Sequence, residues 1–215
     1  MNDLIKATLE TLEMSFAALL LSYVFGLPLG ILTNETSKDG LIPFKPVHFV
    51  CEILIGAGRA IPFTILMVLV LPFTRWLVGT GVGTVATIVP LTIAAIPFVA
   101  RTIANSLNLV DQDIVEAAKI DGANSLKITI NIKLGSRLFD IISSMGLTSV
   151  AIVSYTAISG MLGGGGLGNY AVVRGYYQYD WFSVLWSTLI IIGIVCLFQW
   201  LFSLLSRLVD WRKTK

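Results

Sequence analysis

Residues 181–206 read WFSVLWSTLIIIGIVCLFQWLFSLLS, 26 consecutive positions without Asp, Glu, Lys or Arg. A bilayer-crossing helix needs about 20 mostly apolar residues, so this segment alone points to a membrane. Working outward, Met14 to Asn34 gives 21 uncharged residues, positions 76–100 give 25, and Ile141 to Val173 gives 33. These runs predict spans near 13–33, 84–104, 138–160 and 181–206. A fifth span is less plain. The run Ala60 to Thr74 holds 15 residues, and extension back to Ile53 gives a 20-residue span over 53–72 with Arg59 inside. On that reading Arg59 lies about 9 Å from one end at 1.5 Å per residue, within the reach of a snorkelling side chain.

Composition agrees. The 215 residues are 55% apolar and 13% charged, where a soluble domain carries roughly 25% charge, and mean hydropathy is +0.83. A disordered chain is excluded, and a soluble enzyme has too few charges here to cover its surface. The net charge of +2 gives no footing for nucleic acid. Cys51 and Cys196 both lie in apolar surroundings, which does not suggest a disulfide framework. The acidic residues Asp3, Glu10 and Glu13 make a poor basic leader, so residues 1–33 are expected to be a retained span. The whole chain, 1–215, is expected to be one membrane domain, with no repeat of 20 to 50 residues.

Five spans put the termini on opposite sides. With the C-terminus inside, the inner segments carry 11 basic residues: Lys38, Lys45, Arg101, Lys119, Lys127, Lys133, Arg137, Arg207, Arg212, Lys213 and Lys215. The outer segments carry 3: Lys6, Arg75 and Arg174. The positive-inside rule therefore predicts an outside N-terminus and a cytoplasmic C-terminus.

The spans carry features beyond bulk hydrophobicity. Pro90 and Pro97 interrupt the third, Pro62 the second, and Gly26, Pro28 and Gly30 the first; each proline removes a backbone donor and tends to kink a helix. The fourth is rich in small and hydroxylated residues, which let helices approach closely and bond across their interface. Ser144, Thr148, Ala151, Tyr155 and Ile158 share one helical face. That face can pack helices or line a path for a polar solute, and one helix can do both. Ile158 and Met161 are candidates for an apolar gate that closes by excluding water. His48, Glu52 and Arg59 fall along one stripe near the expected inner end, where charges reach water. No carboxylate falls at the middle of a span, which weakens a proton- or sodium-driven carrier. An intramembrane hydrolase has little support, because the sole His48 has no paired nucleophile in view.

The longest inner connection, 105–137, reads NSLNLVDQDIVEAAKIDGANSLKITINIKLGSR. Asp113 and Glu116 stand at capping-box spacing, which predicts a short helix from Ile114 to Ile120. Gly122 falls where a left-handed stop is wanted, and a second short helix can start at Asn124 or Ser125. Two capped pieces and a tight turn make a rigid knob. Charges within 111–137 balance, so binding to anionic lipid is not favoured over protein contact. No G-x4-G-K-[ST] element is present, so ATP phosphates cannot be cradled in that way. The run GGGGLG at 163–168 matches G-x-G-x-x-G, but it follows a membrane span instead of a strand, so a tight outer loop is the better reading than a dinucleotide site.

Glu116-Ala117-Ala118, three residues, Gly122, nine residues, Ile132, one residue and Leu134 resemble the EAA loop of ABC importer permeases, with Ala123 completing an Asp121-Gly122-Ala123 turn. The departure is Gly135 where that family usually has Pro. RAIPF at 59–63, LPFTR at 71–75, VGTGVG at 78–83, VPLTIAAIPFVAR at 89–101 and GGGGLG look like the methionine-importer permeases, over nearly the whole chain. The resemblance implies an all-α, five-span type I importer fold, with the transmembrane region about 11–206 and the coupling loop about 105–137. It implies a multi-pass protein of the bacterial inner (cytoplasmic) membrane that is not an enzyme and has no cofactor of its own, ATP being bound by a partner. It implies a homodimer around one path, two cytoplasmic ATPase subunits, a periplasmic or lipid-anchored substrate-binding protein, and surrounding lipid. D- or L-methionine is the implied solute. Another small amino acid or solute in the same class is the serious alternative, and an ion-driven carrier the lesser one.

Overall fold

A computed structural model describes residues Asn2–Val209; Met1 and the basic residues Arg212, Lys213 and Lys215 lie outside the described residues. The fold is helical. Four helices are long and apolar enough to cross a membrane: α1 (Asn2–Glu35), α5 (Thr84–Asn108), α8 (Leu138–Met161) and α10 (Trp181–Val209). Between α1 and α5 lie α2 (Lys45–Ala60), α3 (Phe63–Leu69) and α4 (Leu71–Val78). Between α5 and α8 lie α6 (Gln112–Ile120) and α7 (Ser125–Lys127), which runs into a π-helical turn, Ile128–Leu134. The short α9 (Gly166–Tyr170) runs into a second π-helical turn, Ala171–Tyr176, before α10.

The expected span at 53–72 takes a different form. Its helix starts at Lys45, eight residues earlier than read from sequence, and breaks at Ile61-Pro62, where α2 and α3 meet at 109°. Pro62 has no N–H, and its ring forces Ile61 into an extended conformation (φ −75°, ψ 122°). Pro28, Pro90 and Pro97 are tolerated inside α1 and α5.

The core forms where α5 packs between α1, α2 and α8. Met14 and Leu19 of α1, Leu91, Val99 and Ile103 of α5, and Ile152 and Val153 of α8 are fully buried. The approach of α1 to α5 depends on Gly26 and Gly30. A Cβ at Gly30 would lie 2.6 Å from the Ala100 carbonyl oxygen, and one at Gly26 would lie 2.8 Å from Val99. Gly26 and Gly30 form a small-xxx-small pair, the sequence device by which membrane helices pack backbone to backbone. In contrast, α10 rides on the outside. Only 17% of its most apolar stretch is buried, against 56% for α5, and Trp186, Leu189, Ile192 and Trp200 face outward.

At one end of the bundle the glycine run closes a tight loop against α1 and the start of α5. Gly163, Gly165 and Gly166 have φ of 85°, 80° and 73°. The Gly166 N–H donates to Glu10 Oε2 and the Leu167 N–H to Thr11 Oγ1, both at 2.8 Å, and the Gly83 N–H donates to the Gly163 carbonyl at 2.8 Å. Helix α8, not a strand, precedes this loop, as the sequence reading required. At the opposite end sit the 36–44 loop, the end of α5, α6, α7 and the π-helical turn.

Candidate coupling and translocation site

The knob between α5 and α8 has a small core of its own. Val110, Val115 and Ile128 are buried together, with Leu41, Ala118, Ala123 and Ile132 against them. Asp111, not Asp113, is the N-cap of α6; its carboxylate accepts from the Asp113 N–H at 3.0 Å. The expected Asp113–Glu116 box therefore does not form, because the helix begins two residues earlier and Asp113 lies within its first turn. Gly122 adopts φ 80°, and Asn124 caps α7 by accepting from the Lys127 N–H at 2.8 Å, both as the spacing suggests.

Among the expected coupling residues, Glu116, Ala117, Asp121 and Gly122 are exposed, while Ala118, Ala123, Ile132 and Leu134 are half-buried. Leu134 packs toward the main core. Gly135 keeps a helical conformation (φ −58°, ψ −46°) and its N–H donates to the Ile130 carbonyl, so glycine supplies a π-turn hydrogen bond that proline would lack. The sequence reading missed the apolar tip. Ile120 is 86% exposed and Leu126 67% exposed, on either side of Gly122. Apolar side chains at the crest of a charged loop were the available signal.

The reading also missed how the knob is tied to the bundle. Lys133, on the π-helical turn, is buried and places its Nζ 3.0 Å from Glu35 Oε1 and 3.0 Å from Asn34 Oδ1, at the end of α1. Asn34 Nδ2 donates to Asn108 Oδ1 at the end of α5 (2.5 Å), and the Leu41 N–H donates to Glu35 Oε2 at 3.1 Å. Arg137 donates to the Leu109 carbonyl and pairs with Asp140 at 3.3 Å. Lys133 also sits at the C-terminal, negative end of the α1 dipole.

The predicted face of α8 divides in two. Ser144 and Thr148 meet α1: the Tyr23 hydroxyl lies 2.8 Å from Ser144 Oγ and 3.3 Å from Thr148 Oγ1. Thr148 is fully buried, so within the subunit it packs helices and faces no open path. Ala151 is half-buried. Beyond it the face opens. Tyr155 stacks on Phe63 of α3 with ring centroids 4.6 Å apart. Ile158 and Met161 are 37% and 68% exposed.

The polar stripe of α2 also separates. His48 Nδ1 lies 3.0 Å from the Thr33 carbonyl. Glu52 receives a bidentate pair from Arg101, at 3.0 and 2.6 Å. Arg59 lies 14 residues into α2, about 21 Å along the helix axis from Lys45, because the helix begins at Lys45 and not at Ile53.

The arrangement is a helical bundle with a broken helix at mid-height and a stiff, apolar-tipped knob at one end. Such an arrangement suits a membrane transport subunit. Residues 26–215 match the family described as binding-protein-dependent transport system inner membrane component, and the chain belongs to that family. Among its relatives, a probable D-methionine transport system permease protein, MetI, of Vibrio cholerae is 40% identical over 97% of this chain and 93% of its own. The methionine import system permease protein MetP of Bacillus subtilis is 37% identical over 99% and 96%. A chain of the MetNI methionine ABC transporter, solved in inward-facing conformations, superposes with a TM-score of 0.95 at 32% identity, covering 98% of this chain and 97% of that one.

Proposed function

We propose that this chain is the permease subunit of a methionine ABC importer, working as a homodimer in the inner membrane. The carrying observation is the whole-length match to methionine permeases by a chain that keeps a compact, glycine-turned knob. In this reading the knob end faces the cytoplasm, as the excess of basic residues there favours. Each knob seats in a groove of one ATPase subunit, with Ile120 and Leu126 as the apolar contact and Glu116 and Asp121 at its polar rim. Nucleotide-driven movement of the ATPase pair moves the knobs. The buried Lys133–Glu35–Asn34 cluster passes that displacement to α1 and α5, since a closed hydrogen-bonded network moves as a unit. Substrate is delivered by a binding protein at the opposite face.

The decisive experiment is uptake into proteoliposomes holding this chain, its ATPase and its binding protein. ATP-dependent uptake of labelled methionine, chased by unlabelled methionine, is expected. Uptake driven by a proton or sodium gradient without the ATPase would overturn the reading. ATP-dependent uptake of a different amino acid only would keep the class and replace the solute.

In this reading the exposed pair Ile158 and Met161, at the end of α8 beside the glycine loop, meets the same pair of a second copy and closes the path by dewetting. Replacing both with Ala is expected to raise solute leak, and the ATP hydrolysed per solute moved. Leak and ATPase rates equal to those of the unmutated protein would remove the gate assignment.

A further inference from the structure

Arg59 occupies a position where a membrane protein rarely leaves a charge. Its neighbour Gly58 packs directly on Pro97 of α5, and Pro97 lies 13 residues from one end of that spanning helix and 11 from the other. Counted along either helix, Arg59 lies about 16–21 Å from the knob-side ends, which is near mid-bilayer where α5 is a full span. That is too deep for a guanidinium to snorkel back to water. Ionisable groups at that depth face a cavity or a partner, and they mark solute pathways.

No partner is supplied by the described residues of the subunit. Arg59 makes no ion pair or hydrogen bond among them. The acid on its own stripe, Glu52, has both oxygens engaged by Arg101. Arg59 lines a cavity of about 220 Å³ with Ile61, Phe63, Ala94, Phe98 and Tyr155, at the break between α2 and α3. The Tyr155 ring is held by its stack on Phe63, and its hydroxyl makes no hydrogen bond among the described residues. The volume is below the roughly 300–1,000 Å³ of sites that enclose drug-sized ligands, and it suits a single small group with a short apolar tail.

We propose that Arg59 is a transient binding site for the carboxylate of a zwitterionic amino acid on its way through the path. This rests on the reading of the chain as an amino-acid permease and names the contact made at mid-membrane. The planar guanidinium receives the carboxylate in a two-bond fork. Phe63, Phe98 and Tyr155 give the solute side chain an apolar and aromatic wall, against which a thioether packs well. Because the site is small and open, it holds the solute weakly enough to release it.

The test uses the complete transporter in proteoliposomes, with Arg59→Gln and Arg59→Lys beside the unmutated chain. Methionine uptake, binding-protein-stimulated ATP hydrolysis and the mass of the permease dimer are measured together. Arg59→Gln is expected to lower uptake by about ten-fold or more, the loss typical of a hydrogen bond to a charged group, and to lower uptake further than ATP hydrolysis, so more ATP is consumed per solute. Arg59→Lys is expected to recover part of the uptake, since an ammonium cannot form the two-bond fork. Undiminished uptake by Arg59→Gln would overturn the site and leave the permease reading standing. Dissociation of the Arg59→Gln dimer would also overturn it, by showing that Arg59 serves a carboxylate of the second subunit. If the unmutated complex moves no amino acid, the permease reading falls first and the site with it.

Discussion

Gly122→Asp is expected to leave this chain folded and dimeric while lowering ATP-driven uptake by at least about ten-fold, a difference of 1.4 kcal/mol or more. The local fold gives little reason for damage. Gly122 has φ 80°, which excludes most side chains, but Asp and Asn are among the few that enter the left-handed region. A Cβ there meets no atom of the subunit within 4 Å. The new carboxylate therefore projects outward from the knob, on which Ile120 and Leu126, 86% and 67% exposed, are the proposed contact face. Burying it unpaired against an apolar groove costs roughly 1–3 kcal/mol on mutational scales, or more for a full charge. Gly122→Asn separates bulk from charge, and Gly122→Val separates both from backbone strain, which Asn avoids and Val does not. ATPase retained on affinity-purified permease is the direct measurement, with uptake beside it. Normal uptake by Gly122→Asp, with ATPase still bound, would show that the knob is not the coupling contact.

The knob was legible in sequence to the extent that its signals are local. A turn needing positive φ asks for glycine, and Gly122 stands there; Asn124 is a good cap, and it caps. The α6 boundary was missed by two residues because Asp111 and Asp113 are both competent N-caps, and the helix starts from the first. Four of the five spans were legible for a similar reason, since bilayer thickness is a length constraint that an uncharged run reports directly. The fifth was misplaced because Lys45 and His48 look like a boundary by charge. The helix starts there with Pro46 in its first turn, and Arg59 is carried into its last turn as a result. Functions that depend on pairing between distant segments were not legible at all. Thr148 reads as a path residue until Tyr23, 125 positions away, is placed on it. Lys133 reads as one more inner-side positive charge.

Lys133→Met is expected to be the most damaging single substitution in the chain. Lys133 and Glu35 are separated by 98 positions in sequence, and their side chains are only 3% and 9% exposed. Removing one member of such a pair leaves a buried charge without compensation and typically costs about 3–5 kcal/mol. Replacing both members with apolar residues of similar volume is often neutral. The expected series follows from that asymmetry. Lys133→Met and Glu35→Leu each lower the denaturation midpoint of the detergent-solubilised dimer strongly, and the double variant Glu35→Leu/Lys133→Met regains most of it. Transport is expected to separate from stability. Asn34 would lose the Lys133 ammonium but keep Asn108, at 2.5 Å, so α1 and α5 stay joined to each other while the π-helical turn loses its polar tether to both. The double variant should hydrolyse ATP with its ATPase bound yet move less solute per ATP. Full coupling in the stable double variant would show that the knob is connected to the bundle without the Lys133–Glu35 pair. A single Lys133→Met variant as stable as the parent would show that the pair is not buried in the working protein. The first result would place the transmission in Leu134, the small Val110–Val115–Ile128 core and the Arg137 bond to the Leu109 carbonyl, because these contacts survive in the double variant and can still pass a displacement of the knob to the helices.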